Sequence, residues 1–407
     1  MVELRNNSID FDIDINLPGS KSIHNRILIL NTLYDLKLSI LNGSESDDTL
    51  LLTKLITREE RELNCGNAGT VFRFLTAYLA VQPARKILTG SDRMLNRPIG
   101  DLTDVLMALG ASIQYLGKEG FPPIQIEGRL KKGGILKVNG DKSSQFISAL
   151  CMIGPSLITG LEIIILGEIS SRPYFEMTIK LMQSLGFDVT MDKNHIITKP
   201  WDKKCEIQSI EIEPDWSAVV FWFQIIALSG NGKVFIHKLN KWSVQGDSIL
   251  TEWAEMLGIK HTFTPQGLKL ERSLTPSNVM KVWDFRNYPD LAPAIIVLLS
   301  ALRQKATFKG LESLSIKESD RTLALQTELI KCNVTFYPSQ KEWILDASAF
   351  ELKEHTVFET YNDHRIAMAL APLVFIKPIK IRNPEVVNKS YPEFWKHLQL
   401  AHVTLIK

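Results

Sequence analysis

The sequence predicts an α/β protein of two domains, assembled from a subdomain of several strands and two helices that recurs along the chain. Three observations predict it. Six polar loops carrying Gly or Asp run straight into apolar stretches with helical spacing. Helix ends recur at positions 110, 186, 258 and 332, at intervals of 76, 72 and 74 residues. Short alternating segments (Ile124-Gln125-Ile126-Glu127, residues 207–212, Val234-Phe235-Ile236) supply strands between the helices. A chain of 407 residues also exceeds one ordinary core.

The openings come in order. They are Leu17-Pro18-Gly19-Ser20-Lys21-Ser22, Asn64-Cys65-Gly66-Asn67-Ala68-Gly69-Thr70 and Gly140-Asp141-Lys142-Ser143-Ser144-Gln145. Then follow Glu213-Pro214-Asp215-Trp216-Ser217, Tyr288-Pro289-Asp290 and Tyr361-Asn362-Asp363-His364-Arg365. Each presents a helix N-terminus whose free N–H groups and positive dipole end attract an anion. Six such loops point to a protein that holds a heavily anionic small molecule. At the helix ends Gly110, Gly186 and Gly258 suit the left-handed cap, and Cys332-Asn333-Val334 closes the fourth. A domain crossing fits Glu213-Pro214-Asp215, where a Pro separates strand from helix, with the other near Pro18-Gly19. That divides the chain into residues 20–213 and residues 1–19 with 214–407.

Composition excludes several classes. A net charge of +2 gives no global attraction for nucleic acid or membrane. The longest apolar runs, residues 218–228 and 291–302, fall short of the ~20 residues that span a bilayer. The acidic start, with Glu3, Asp10, Asp12 and Asp14, lacks the basic and apolar regions expected of a signal peptide. Cys65, Cys151, Cys205 and Cys332 lack paired metal-ligand spacing, which fits a reducing cytoplasm, no metal and no disulfide framework. Gly19-Ser20-Lys21-Ser22 fails the nucleotide P-loop template, which needs Gly where Ser20 and Ile15 stand, and no G-x-G-x-x-G occurs.

The basic residues gather against apolar helix starts rather than on charged flanks. Lys21, Ser22 and Arg26 make one compact anion site, and Arg93 and Arg97 flank another start at Pro98. Lys317 and Arg321 lie four apart on one helical face with Glu318 beside them. Arg365 opens an apolar helix, and Lys389 follows in Asn388-Lys389-Ser390-Tyr391-Pro392.

In this order the motifs resemble the EPSP synthase family, the 3-phosphoshikimate 1-carboxyvinyltransferases. The matching stretches are Leu17-Pro18-Gly19-Ser20-Lys21-Ser22 with Asn25-Arg26, Gly66-Asn67-Ala68-Gly69-Thr70 with Arg73, and Leu88-Thr89-Gly90 with Arg93-Met94 and Arg97-Pro98-Ile99. They continue with Ser143-Ser144-Gln145-Phe146, Ser171-Arg172-Pro173-Tyr174, Pro289-Asp290, Lys317-Glu318-Ser319-Asp320-Arg321, residues 361–368 and Lys389. The resemblance covers nearly the whole chain. It implies an enolpyruvyl transferase fold of two domains, each of three βαβαββ subdomains. It also implies a monomeric, cytoplasmic enzyme that needs no cofactor and uses shikimate 3-phosphate and phosphoenolpyruvate.

Position by position, the resemblance implies that Lys21, Ser22, Arg26, Ser143, Ser144, Ser171 and Lys317 hold shikimate 3-phosphate. Asn67, Gly69, Arg93, Arg321, Arg365 and Lys389 line the phosphoenolpyruvate pocket, while Lys21 and Gln145 touch both substrates. Asp290 contacts the shikimate hydroxyls and accepts a proton, and Glu318 is the second acid/base group. On this reading residues 20–213 form the shikimate 3-phosphate side. The other domain forms the phosphoenolpyruvate and acid/base side. Two substrates with two phosphates and two carboxylates require several fixed cations.

The chain departs from the pattern at a few places. Ser313 replaces an amide common four residues before Lys317, His24 replaces a small residue, and Phe74 stands where Pro is frequent. The loop around Trp216 is bulkier than usual and reads as structural; His364 reads as catalytic or positioning. The UDP-N-acetylglucosamine enolpyruvyl transferases share fold and chemistry but use a reactive Cys, and residues 85–97 contain none. Loss of Asp290 or Glu318 would favour a non-catalytic phosphate-ligand sensor on the same fold, and both are present. An RNA 3′-terminal phosphate cyclase would carry a basic excess.

Overall fold

The computed structural model describes residues 1–141, 143–273 and 280–406. The chain divides into two compact units, one of Met1–Ser20 with Glu213–Lys407 and one of Lys21–Ile212. The segments at the two crossings are stitched together: Gly19 bridges Pro214, Ser20 N–H donates to Glu213 at 2.8 Å, and Asp215 N–H donates to Pro18 at 3.0 Å. Glu213 is anchored there by Trp216 Nε1, Ser243 Oγ and Gln245 Nε2, and burial pushes its carboxyl above the ordinary value.

In the unit Lys21–Ile212, two four-stranded sheets share one topology. Glu62–Asn64 pairs in parallel with Arg85–Thr89, which continues antiparallel through Ile124–Glu127 to Ser112–Tyr115. Gly134–Asn139, Leu161–Leu166, His195–Thr198 and Val189–Asp192 repeat the order. The third sheet is abbreviated among the described residues, with Ser39–Leu41 parallel to Ser209–Glu211. After Ser39–Leu41 and the helix Asp47–Ile56 the chain passes directly into Glu62–Asn64, leaving no residues for a hairpin. Helices Lys21–Leu33, Gly69–Val81 and Ser144–Ile153 all pack against one another.

Among the described residues the other unit holds three four-stranded sheets. Its N-terminal strands join distant partners: Val2–Asn6 lies between Ile379–Ile381 and Val403–Ile406, and Asp10–Ile15 runs parallel to Asn231–His237. The third sheet orders Val282–Asp284, Lys305–Lys309, Glu342–Asp346 and Thr335–Ser339. Helices Trp216–Leu228, Ala292–Ala301 and His364–Leu370 again pack mutually. They are apolar almost all round, so tertiary burial rather than propensity explains β-branched Val219, Val220, Ile225 and Ile226 in a helix. Trp216, Trp222, Phe221 and Phe223 are all buried there, each contributing about 1.5–3 kcal/mol.

In both units the central trio comprises the helices opened by the polar loops, so each loop sits at the start of a rigid element. Helix ends turn left-handed at Gly110, Gly186, Gly258 and, in the fourth repeat, Asn333. The stop before Gly258 is a short helix Leu250–Trp253 followed by a 3-10 turn Glu255–Leu257, rather than one long helix. His364–Leu370 likewise gives way to a 3-10 turn at Ala371–Phe375, where Pro372 removes an N–H donor.

Candidate active site

In the unit of Met1–Ser20 and Glu213–Lys407, one charge network gathers six of the residues singled out from sequence. Arg321 opens helix Arg321–Ile330 with only 1% of its side chain exposed. Its Nε donates to Asp363 Oδ2 at 2.8 Å, Nη1 to Asp290 Oδ1 at 3.2 Å, and Nη2 to Glu318 Oε2 at 2.9 Å. A guanidinium buried without such partners would be prohibitive. Arg365 donates Nη2 to Asp290 Oδ2 at 2.8 Å and Nη1 to the Asp290 carbonyl at 3.0 Å. Lys317 Nζ lies 3.6 Å from Asp290 Oδ1, and Lys389 Nζ lies 3.3 Å from Glu318 Oε1. Four cations thus face three carboxylates, leaving one net positive charge.

Burial disfavours charge on Asp290, but Arg365, Lys317 and Arg321 outweigh it and hold the carboxyl well below the usual carboxylate range. Burial draws the Lys317 ammonium down against the opposing pull of Asp290. The Arg321 guanidinium is pushed down by burial but raised overall by Asp363, Glu318 and Asp290. Asp290 is not a helix cap: helix Ala292–Ala301 takes Leu291 at that position without a side-chain bond. The cap role belongs instead to Asp363 at helix His364–Leu370, where it accepts the Arg365 N–H at 2.9 Å. Asp363 also accepts Ser319 Oγ at 3.0 Å, so it ties two loops to Arg321. In the sequence Asp363 stands out only within its helix opening, with no role assigned, because its bonds to Arg321 and Ser319 join residues more than 40 positions apart. His364 is buried beside it, with Nδ1 3.8 Å from Asp363 Oδ1.

The unit Lys21–Ile212 gathers a second set. Lys21 opens helix Lys21–Leu33 and its Nζ lies 3.1 Å from Asp48 Oδ2, with side-chain exposures of 14% and 7%. Arg26, five residues further along the helix, points inward. Its Nε donates to Thr178 Oγ1 at 2.6 Å, Nη1 to the Ser22 carbonyl at 2.7 Å, and Nη2 to Ser148 Oγ and the Tyr174 carbonyl. Phe74, the departure from Pro, lies beneath it at 5.3 Å, and burial pulls the guanidinium down to about 10. Lys21 and Arg26 therefore share a helix but occupy different surroundings.

Gln145 is fixed from both ends: Oε1 accepts Arg73 Nη1 at 2.9 Å and Nε2 donates to Thr70 Oγ1 at 2.9 Å. Arg97 Nη1 donates to the Asn67 carbonyl at 3.3 Å. A Cβ on Gly69 would lie 2.5 Å from both Arg73 Nη1 and Arg97 Nη2, so two buried guanidinium groups converge on that glycine. Arg73 and Arg97 had no assigned role in the sequence reading; their convergence is visible only in three dimensions. Arg93 is half-buried on the short helix Asp92–Leu95. Ser143 caps helix Ser144–Ile153 by accepting the Gln145 N–H at 3.3 Å, and Ser144 is buried. Lys142, in the same opening, lies outside the described residues. Ser171 holds a left-handed backbone, φ 56°, ahead of helix Arg172–Ser184 without a capping bond. Such a conformation costs about 1–3 kcal/mol.

Among the described residues no group of three or more His, Cys, Asp or Glu is arranged to hold a metal ion, and no helix is long and apolar enough to cross a membrane. Residues 52–398 match the family described as EPSP synthase (3-phosphoshikimate 1-carboxyvinyltransferase). A 3-phosphoshikimate 1-carboxyvinyltransferase of Bacteroides fragilis strain YCH46 is 40% identical over 390 residues, covering 95% of this chain and 94% of its own. A Marinomonas relative of the same description is 32% identical over 410 residues, covering 94% and 95%. Among solved structures, EPSP synthase from Acinetobacter baumannii superposes with a TM-score of 0.77 at 19% identity, covering 100% of this chain and 99% of its own. The enolpyruvyl transferase NikO of Streptomyces tendae gives 0.75 at 12% identity, covering 100% and 98%. The two-domain enolpyruvyl transferase fold and the matched length together place this chain in the EPSP synthase family.

Proposed function

We infer that this chain transfers the enolpyruvyl group of phosphoenolpyruvate to the 5-hydroxyl of shikimate 3-phosphate, giving 5-enolpyruvylshikimate 3-phosphate and phosphate. The observation that carries the reading is the family match over residues 52–398, matched by a relative 40% identical across 95% of the chain. Lys21, Ser22, Arg26, Ser143, Ser144, Gln145, Ser171, Asp290 and Lys317 serve shikimate 3-phosphate in this proposal. Lys21, Asn67, Gly69, Arg93, Gln145, Arg321, Arg365 and Lys389 serve phosphoenolpyruvate. Arg26 acts from behind, since four of its five N–H donors are engaged by Thr178, Ser22, Ser148 and Tyr174.

The charge network suggests how the chemistry is switched on. Before substrate arrives, Arg365, Lys317 and Arg321 are neutralised by Asp290 and its neighbours, and Asp290 is too weak a base to take a hydroxyl proton. Anionic substrate groups then draw those cations away by ion-pair exchange. Asp290 so released accepts the 5-hydroxyl proton as that oxygen bonds to the central carbon of phosphoenolpyruvate. Glu318, protonated from solvent once substrate groups draw Arg321 and Lys389 away from it, delivers that proton to the methylene carbon, and Lys21 is the next candidate for the base role of Asp290. Glu318, now a carboxylate, takes a proton back from the resulting methyl group; the C–H electron pair forms the double bond as phosphate leaves with the electron pair of its C–O bond, which completes the elimination. Each acid/base step typically contributes ~10²–10⁴-fold, and fixed charge and alignment supply the rest.

The working unit in this proposal is a monomer, and four free cysteines support a cytoplasmic setting. The test is phosphate release by purified protein with both substrates. Release that requires both substrates and survives EDTA is expected; release from phosphoenolpyruvate alone contradicts the reading.

A further inference from the structure

We propose that His24, one of the departures from the family pattern, is a positioning residue that sets where the Lys21 ammonium sits. The imidazole lies on helix Lys21–Leu33 one turn after Lys21, on the same face. Its Nδ1 accepts the backbone N–H of Ser44 at 2.8 Å. A nitrogen that accepts carries no proton, so the ring is the neutral tautomer with hydrogen on Nε2. Burial favours that neutral form by drawing the ring below the ordinary histidine value.

The contact is close enough to define its neighbour. A Cβ on Gly43 would lie 2.8 Å from His24 Cε1 and 3.2 Å from Nδ1, so glycine alone lets the loop rest on the ring. From Ser44 a continuous chain of bonds leads on. Ser44 Oγ donates to Ser46 Oγ at 3.0 Å, and the Ser46 N–H donates to Ser44 Oγ at 3.3 Å. Ser46 caps helix Asp47–Ile56 by accepting the Thr49 N–H, and both serines are buried. Asp48, in the first turn of that helix, reaches Lys21 at 3.1 Å.

His24 thus holds the first end of a short segment at Ser44, and Asp48 at its other end holds Lys21, so the segment links the two side chains of one helix. A lysine has four rotatable side-chain bonds, so its ammonium is placed only as well as its partner is placed. Displacement of a reacting group by ~1 Å costs up to 10²-fold in rate. The inference rests on the reading that Lys21 touches both substrates.

The test compares His24→Ala, His24→Asn, Asp48→Asn, Lys21→Ala and the His24→Ala/Asp48→Asn pair by steady-state phosphate release. His24→Ala should lower kcat/KM for phosphoenolpyruvate about tenfold. His24→Asn, whose amide oxygen takes the place of Nδ1, should recover most of it. In the Asp48→Asn background the His24→Ala loss should shrink to about twofold or less, because both act through one segment. A full tenfold loss in that background, or no rescue by Asn, marks a merely structural role and overturns the proposal. Impaired Lys21→Ala with unimpaired His24→Ala overturns the role of His24 alone, whereas unimpaired Lys21→Ala overturns the placement of Lys21 as well. Should the variants misfold, ¹⁵N imidazole resonances of the unsubstituted protein at pH 7 decide: an unprotonated His24 Nδ1 supports the proposal, a protonated one overturns it.

Discussion

Replacing Asp290 with Asn removes one negative charge from a cluster of four cations and three carboxylates, so the net charge rises from one positive to two. Asn keeps one acceptor oxygen, enough for Arg365 at 2.8 Å or Arg321 at 3.2 Å, but its amide nitrogen must then face the other guanidinium. Breaking a buried ion pair costs about 3–5 kcal/mol. The Asp290 side chain is 20% exposed, so solvent screens part of that and about 2 kcal/mol is expected. In a unit of this size that lowers the melting temperature by about 4–8 °C. Turnover should fall further than stability accounts for, by roughly 10²-fold or more, if the carboxylate takes the 5-hydroxyl proton. Capping cannot rescue the variant, because Asp290 does not cap its helix. Phosphate release at saturating substrates, with melting curves on the same preparation, separates the two effects. Turnover within about threefold of the unsubstituted protein, alongside a lowered melting temperature, would refute the base role and leave Asp290 as a holder of cations.

Gly69→Ala places a methyl 2.5 Å from both Arg73 Nη1 and Arg97 Nη2, so both guanidinium groups must move and the Arg73–Gln145 bond is disturbed; KM for phosphoenolpyruvate should rise about tenfold, and an unchanged KM contradicts this. The Asp290 carboxyl is held below its unfolded value of about 3.9, so its contribution is fully present above that pH and is lost as pH falls below it. The melting-temperature gap between the unsubstituted protein and Asp290→Asn should therefore stay level from about pH 7 to 5 and shrink below about pH 4; a gap that widens in acid contradicts the sign. Burial pushes the Cys151 and Cys332 thiols to about 12 and Cys65 higher still, while Cys205 is half-buried. An aromatic disulfide reagent should find one fast thiol in the native protein and four in denaturant, and a second fast thiol would count against this packing.

The parts of the molecule legible in sequence are those written in local chemistry. A Gly- or Asp-bearing loop before an apolar stretch marks a buried helix, as at Pro289-Asp290 ahead of Ala292–Ala301. Glycine at 110, 186 and 258 marks the left-handed stops, and the even interval marks the repeated subdomain. What the sequence conceals is convergence. Asp48 lies 27 residues from Lys21 and Asp363 lies 42 from Arg321, and no period connects them. The inward turn of Arg26 depends on Thr178, Ser148 and Tyr174, more than 120 residues away. The abbreviated sheet of Ser39–Leu41 and Ser209–Glu211 joins strands from opposite ends of one unit, beyond the reach of any local pattern.

The most direct measurement of the central claim is ³¹P NMR of the purified protein with equimolar phosphoenolpyruvate and shikimate 3-phosphate. The account predicts that the phosphoenolpyruvate signal declines as inorganic phosphate grows in equal amount, while the shikimate phosphomonoester persists as a shifted product signal. A phosphoenolpyruvate signal that does not change, or inorganic phosphate drawn from the shikimate phosphate instead, would contradict it.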